Sequence, residues 1–353
     1  MSKFWSPGVE SLTPYVPGEQ PRQRMIKLNT NENPYPPSKE VDRVLKNFSY
    51  ETLRRYPDPE SLALRDALAK TYGVTREQVF VGNGSDEVLA FAFRAFFYRG
   101  EEALQIPEHT YSFYLVYCQL YGISLQKVAL NDQWEVKLED FPSQGHAGIA
   151  FANPNAPTGH AHTREAIQAW LVQQTERVVL IDEAYVDFGG ESMVPLTKEF
   201  PNLLVTGTFS KSRSLAGMRI GFAIGSTELI KALERIKNSF NSYPMDPIAS
   251  AAGIAALEDT DHYHHCCRAI RETRERTCQA LKEIGFTVLP SKANFLFVKP
   301  ESFSARAVFA HLREQGILVR HFSTPGLEDW LRISIGTDKE MMTMMEALKA
   351  MKA

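Results

Sequence analysis

Cysteine is scarce in this chain: four residues in 353, at positions 118, 266, 267 and 278, too few and too clustered to frame a disulfide-stapled fold, so reduced thiols are expected. Long hydrophobic runs are missing as well. The most apolar stretch, 88–98, is broken by Arg94 and is too short for a bilayer, and the opening MSKFWSPGVE lacks the basic-then-apolar pattern of a secretion signal. No membrane partner is expected, and the compartment expected is the cytoplasm. An excess of charge of one sign is equally absent. The 39 basic and 42 acidic residues are spread along the chain for a formal net charge of −3, without a basic block that could track a phosphate backbone, so nucleic acid is not expected as a partner. There is no internal repeat and no low-complexity tract.

What is present is apolar content, 44% of residues against 23% charged, enough for one large core or two smaller ones. The first 38 residues, proline-rich and without apolar periodicity, read as an arm lying across another surface. From Asp58 the pattern turns regular: Asp58 and Pro59 suit an N-cap and a first helical position, Leu64, Leu68 and Tyr72 share one face, and Gly73 can end the helix. Short apolar runs follow at 79–81, 103–106, 148–152, 178–181, 203–206 and 220–224, several separated by helical patterns. That alternation predicts a mainly parallel sheet covered by helices. A helix at 227–240 runs into a loop where Asp246 and Pro247 can start another, and a domain boundary is expected there. Beyond it a long charged helix (261–284), strands at 294–298, 317–320 and 331–335, a helix at 305–315 and a Met-rich terminal helix predict a smaller α+β domain. Met341, Met344, Met345 and Leu348 form its flexible core face. The expected division is an arm with part of the small domain over 1–47, a large domain over 48–247 and the small domain over 248–353.

Four segments carry side chains or amides suited to chemistry. TGTFSKSRSLAGMRIG (206–221) follows an apolar strand and gathers hydroxyls and glycines around Lys211, although a lone lysine is more often a solvated loop cation. VVLIDEAY (178–185) sets Asp182 just beyond a buried strand, where open α/β sheets gather ligands, with Tyr185 three residues later. NPNAPTG (153–159) is a rigid turn carrying amide side chains. VGNGSDE (81–87) follows a strand and opens a helical run, so the backbone N–H groups of Gly84, Ser85 and Asp86 suit an anion. An ordinary capped helix would explain the polar residues there but not the Gly-Asn-Gly. The carboxylates of Asp86 and Glu87 would repel an anion and are expected to point away. The same motif lacks the third glycine of the dinucleotide fingerprint, which counts against a nicotinamide-dependent oxidoreductase. His262, His264, His265, Cys266 and Cys267 are zinc-type donors; His262 and Cys266 stand one turn apart, but the others point round the helix and no second ligand pair stands at a recognisable metal spacing, so helical packing and no metal are expected.

In this order, over nearly the whole chain, the segments resemble the fold type I pyridoxal 5'-phosphate (PLP) aminotransferases. Within them the likeness is to the histidinol-phosphate aminotransferases, through LNTNENP (28–34), RYPDP (55–59), VGNGSDE, SKSRSLAG (210–217) and LRISIG (331–336). The resemblance implies an α/β fold: a large domain on a mainly parallel seven-stranded sheet flanked by helices, plus a smaller α+β domain. It also implies PLP as cofactor and a homodimer with shared active sites. Lys211 would anchor PLP covalently and then, released by the incoming amine, carry a proton between the substrate carbon and the cofactor. Asp182 would keep the ring nitrogen protonated, since an opposite charge favours the cation, and Tyr185 would orient the ring through its oxygen. Ser210 and Arg219 would join the amides of Gly84, Ser85 and Asp86 around the phosphate. Tyr111 would stack on the ring, a core aromatic being the rival reading, and Tyr56 would reach the phosphate from the neighbouring subunit. Many relatives carry asparagine before Pro-Thr-Gly, where this chain has Ala156; Asn155 is the nearest substitute for contact with the ring oxygen, and Asn153 the second. Tyr15, Asn31 and Tyr243 would line the substrate pocket. Arg332 and Arg320 would grip anionic substrate groups, with surface ion pairs as the rival reading. The reaction implied is amino-group exchange between L-histidinol phosphate and 2-oxoglutarate. An aromatic amino-acid aminotransferase, an amino-acid phosphate decarboxylase and a non-catalytic PLP-fold binding protein are the alternatives.

Overall fold

The computed structural model describes residues 3–6 and 8–351. A two-residue strand β1 (Ile26–Lys27) and helices α1 (Lys39–Lys46) and α2 (Leu62–Tyr72) lead into an alternating stretch. It comprises β2 (Val79–Asn83), α3 (Gly84–Ala92), β3 (Leu104–Pro107), α4 (Phe113–Tyr121), β4 (Leu125–Val128), β5 (Gly148–Ala152), α5 (Arg164–Leu171), β6 (Val179–Asp182), β7 (Leu203–Thr208), β8 (Ile220–Gly225) and α6 (Thr227–Phe240). Seven of these strands form one sheet in the order β2, β8, β7, β6, β5, β3, β4. All run parallel except β8, which is antiparallel to β2 and β7. Ile149, Phe151, Val179, Ile181, Leu203 and Val205 face one core, while the alternate residues Ala150, Leu180 and Leu204 face another. Helices therefore cover both faces, and the strands read as unbroken apolar runs for that reason. The half-exposed edge strand β4 has no such run, so its sequence carries no strand signal.

The helix expected from Asp58 begins at Leu62 instead. The Asp58 carboxylate accepts from the amides of Glu60 (3.0 Å) and Leu62 (2.7 Å), closing a polar turn ahead of the helix rather than sitting at its cap. Gly73 ends the helix in the left-handed conformation, at φ 66.

After α7 (Pro247–Glu258) and the long α8 (Thr260–Glu283), the strands β9 (Phe286–Val288) and β10 (Phe295–Pro300), helix α9 (Ala305–Glu314), the short strands β11 (Ile317–Leu318) and β12 (Arg320–His321), β13 (Leu331–Ser334) and helix α10 (Asp338–Lys349) complete the chain. β12, β13, β10 and β9 form an antiparallel sheet whose core includes Met341, Met344, Met345 and Leu348. β1 pairs with β11, tying the first segment of the chain to this second unit. Val41 of α1 and Ala249, Ala252 and Leu257 of α7 belong to the core of the large sheet. Both helices thus lie with the large sheet, although the sequence reading divides the chain on their inner sides, at 47 and 247. Among the described residues no helix is long and apolar enough to cross a membrane.

Because parallel strands end together, Asp182 at the end of β6, Ser210 and Lys211 after β7, and the start of α3 after β2 all meet at one edge of the sheet.

Candidate active site

At that edge lies a cavity of about 200 Å³. Asp182 stands in its wall, only 3% exposed, because its own Oδ1 accepts from the amide of Ala184 (3.1 Å) and so turns the chain out of the strand. Its Oδ2 accepts from the Tyr114 hydroxyl at 3.0 Å. Both partners are neutral, and burial holds this carboxyl up at about 6. The same turn brings Tyr185 into the cavity. Asn31 Nδ2 donates to Tyr185 Oη at 3.0 Å, and Asn31 is itself pinned: its amide and Oδ1 both bond Ser334 Oγ (2.8 and 2.9 Å), and its carbonyl accepts from Asn294 (3.0 Å). Asn31 holds a left-handed φ of 56, conformational strain of the kind that dense bonding can sustain. Lys211 lines the cavity beside them, with Nζ 3.1 Å from the Thr30 carbonyl and 5.7 Å from the Tyr185 ring centroid.

The N-terminus of α3 also lines the cavity, through Ser85 and Asp86, together with Ser210 and Arg219. Gly84 takes φ 83, and a Cβ there would stand 2.5 Å from Arg219 Nη2. A Cβ on Gly221 would come within 2.3 Å of the Gly84–Ser85 peptide, so β8 can lie against the amides of α3 only if position 221 is bare. Gly221→Ala is therefore expected to cost about 1–3 kcal/mol of stability and to weaken PLP binding at least tenfold, read by thermal unfolding and by cofactor titration. Wild-type affinity in that variant would show that the close approach is unimportant for the cofactor.

Asp86 departs from expectation. Glu87 does turn away, with Oε2 accepting from the Asn83 amide at 2.7 Å. The Asp86 carboxylate instead faces the cavity, where Oδ2 pairs with Arg219 Nη2 (3.1 Å) and Oδ1 accepts from the Tyr111 hydroxyl (2.9 Å). Arg219, reached across the sheet, supplies the compensating charge that the local sequence lacks.

Arg320 and Arg332 are direct cross-strand neighbours on β12 and β13, and both line the cavity. Like charges in that relation repel, an arrangement that suits an anionic ligand. Burial, with a smaller contribution from Arg320, lowers the Arg332 pKa; Nη2 donates to the Asn29 carbonyl (3.0 Å), while Nε has no hydrogen-bond partner among the described residues. Tyr15, in the arm, stacks on Phe113 with ring centroids 4.7 Å apart and closes this side. The arm is held down by Glu19, which pairs with Arg313 (2.9 Å) and whose carbonyl accepts from Asn29 (3.0 Å).

Three sequence expectations fail within the single chain. Asn155 does not line the cavity: its Oδ1 accepts from Thr110 (2.9 Å), and its Nδ2 donates to the His109 carbonyl (2.9 Å) and Thr158 Oγ1 (3.2 Å), so both its donors are engaged away from the cavity. Asn153 is likewise bonded to His162, and it is Ala156 that faces the cavity. Tyr243 is absent from the cavity lining and stacks on Tyr56 at 4.7 Å on the surface. Sequence reasoning also missed Tyr114 and Tyr117, whose hydroxyls reach Asp182 and the Asp86 carbonyl (2.8 Å). The signal was available, since Tyr111, Tyr114 and Tyr117 recur every three residues, at helical spacing.

PLP, expected from the sequence, fits this donor set. A buried carboxylate with only neutral partners suits a ring cation, helix amides and Arg219 suit a phosphate, and the Lys211 amine lines the same cavity.

Comparison with known proteins agrees. Residues 23–348 match the family described as aminotransferase class I and II. The chain is 63% identical to a histidinol-phosphate aminotransferase of Chromohalobacter salexigens, covering 99% of each. It is 50% identical to histidinol-phosphate aminotransferase 1 of Pseudomonas aeruginosa over 100% of both. Among solved structures, the histidinol-phosphate aminotransferase of Sinorhizobium meliloti in complex with PLP superposes with a TM-score of 0.88 at 25% identity, covering 99% of each chain.

Proposed function

The chain belongs to the class I and II aminotransferase family, and from that premise we propose that it transfers an amino group between L-histidinol phosphate and 2-oxoglutarate. The products are imidazole acetol phosphate and L-glutamate, and PLP is the cofactor. The observation that carries the proposal is the convergence of Lys211, Asp182 and the Arg320–Arg332 pair on one cavity.

When bound, PLP supplies an electron sink for the charge left on the substrate carbon as a proton departs. Asp182 would hold the protonated ring nitrogen, as an anion favours a buried cation. The amides of Gly84, Ser85 and Asp86, with Ser210 and Arg219, would hold the phosphate, and Tyr111 would cover the ring. Asn31 Nδ2 already occupies a lone pair of Tyr185 Oη, which leaves the phenolic proton to donate toward the ring oxygen. With Asn155 committed elsewhere, we assign that contact to Tyr185. Lys211 Nζ would hold the cofactor and, as a free amine, would take the proton from the substrate carbon. Arg320 and Arg332 would receive the anionic group, phosphate from one substrate and carboxylate from the other.

The test is a set of half-reactions. PLP-loaded protein mixed with L-histidinol phosphate, phenylalanine or threonine phosphate, without keto acid, is expected to lose its visible absorbance fastest with histidinol phosphate. Preference for phenylalanine would move the reading to the aromatic aminotransferases, and carbon dioxide release from threonine phosphate to the decarboxylases. No change with any of them would leave a binding protein.

The proposal includes a cytoplasmic homodimer. Tyr56 is 83% exposed and stacked on Tyr243, and Tyr50, Leu53 and Phe240 are exposed too, apolar surface that favours burial against a second copy. From there Tyr56 would reach the phosphate in the neighbouring site, and Tyr243 its substrate pocket. We retain the expected domain division, amended so that α1 and α7 join the large domain with which they pack.

A further inference from the structure

The loop that carries Lys211 is gripped by a side chain outside the cavity. Asp187 lies two residues beyond Tyr185 on the short helical turn Val186–Phe188, and its Oδ2 accepts from the hydroxyl of Ser212, the residue next to Lys211. Its other oxygen accepts from the Tyr263 hydroxyl of α8 at 2.7 Å. Arg213, next in the loop, lies with its guanidinium 3.8 Å from the Tyr263 ring centroid and donates to the Ala256 carbonyl at 2.8 Å. Asn33 Nδ2 bonds the carbonyls of Lys211 and Ser212 (3.1 and 3.2 Å), which steadies the same peptide.

One rigid turn therefore presents Tyr185 to the cavity at one end and, two residues on, holds the neighbour of Lys211. Hydrogen bonds to a charged acceptor are about twice as strong as neutral ones, and Ser212 is buried, so its hydroxyl has no ready substitute in water. We propose that Asp187 is a positioning residue which, through Ser212, sets the placement of the Lys211 amine relative to the Tyr185 phenol. The Tyr263 bond to the same carboxylate anchors the turn to α8. The inference rests on the reading of Lys211 as the PLP anchor. It adds that the lysine's geometry is set by a residue that touches neither substrate nor cofactor.

The test compares Ser212→Ala, Asp187→Asn and Tyr263→Phe in the PLP-loaded enzyme. Misplacing a catalytic group by about 1 Å can cost on the order of 100-fold. Ser212→Ala and Asp187→Asn are expected to lower kcat about 10- to 100-fold, with KM for the amino donor within about threefold of wild type. Both are also expected to shift the pH midpoint of the visible band of lysine-bound PLP. Tyr263→Phe removes one bond to the same carboxylate but keeps the ring beside Arg213 and leaves the Ser212 bond intact; it is expected to lower thermal stability while changing kcat and the midpoint much less than Ser212→Ala does. Should Asp187→Asn not fold, Ser212→Ala decides. Unchanged kcat and midpoint in Ser212→Ala overturn the inference, as do losses in all three variants that simply follow their thermal stability. A wild-type protein with no visible band in PLP would instead sink the reading of Lys211 itself, so the two failures are told apart.

Discussion

Lys211→Ala is expected to bind PLP without developing the visible band of a lysine-bound cofactor and to lose transamination by on the order of 10⁴-fold or more, since one side chain serves as anchor and as base. The fold should be spared. Among the described residues Lys211 Nζ makes a hydrogen bond only to the Thr30 carbonyl, and the loop around it is held by Asn33 and by Ser212, which remain. A thermal melt of the cofactor-free variant within a few degrees of wild type, beside absent turnover, is the expected pair of results. A borohydride-reducible linkage to PLP at full strength in Lys211→Ala would show that another amine is the anchor.

Asp182→Asn should separate stability from activity. In the cofactor-free protein, burial raises the Asp182 carboxyl to about 6 from an ordinary value near 4. The folded state thus holds this proton more tightly than the unfolded chain does. Below pH 4 both states are protonated and the group is neutral in its effect. As pH rises through that interval the unfolded chain ionises first, and folding loses on the order of 3 kcal/mol, a loss complete above about pH 6. An asparagine escapes this penalty and can still accept from the Ala184 amide while donating to Tyr114. The variant without cofactor is therefore expected to melt higher than wild type at pH 7–8, with the difference vanishing toward pH 4. Its turnover is expected to fall by about 10²–10³-fold, because the charge facing the cofactor ring is lost. Equal melting temperatures at pH 8, or activity close to wild type, would show that the carboxylate is not a buried charge reserved for a cation. The two readouts are independent of one another.

Both predictions concern residues that could be picked out in the sequence, and the reason is local. Asp182 closes the short apolar run of a strand whose two faces are both covered, and Lys211 stands three residues past the end of the next such strand, so both are marked by their place in the sequence. Arg219, in the left-handed conformation at φ 52, sits among the glycines that the close approach of β8 to α3 requires. The Arg320–Arg332 pair was half legible. Each arginine could be named, but their position opposite one another follows from the register of β12 on β13.

Other features could not be read at all. Asn155 was a reasonable candidate from its turn, yet its side chain is claimed by His109 and Thr110, roughly 45 residues earlier. The Asp86 carboxylate stays in the cavity because of an arginine 133 residues away. Tyr114 bears on Asp182 because α4 and β6 contribute to one core, and Tyr243, in the loop after α6, lies outside the cavity of its own chain and stacks on Tyr56 instead.

The order of amino acids by itself determined where most of the buried strands and the helices run and which residue types gather at strand ends, because these depend on neighbours within a few positions. Tertiary structure alone decided which polar side chains meet. The bonds joining Asn31 to Tyr185, Asp86 to Arg219 and Asp187 to Ser212 link distant segments, and each carboxylate or amide spends its limited hydrogen-bonding capacity on whatever partner the packing of the sheets and helices brings within reach.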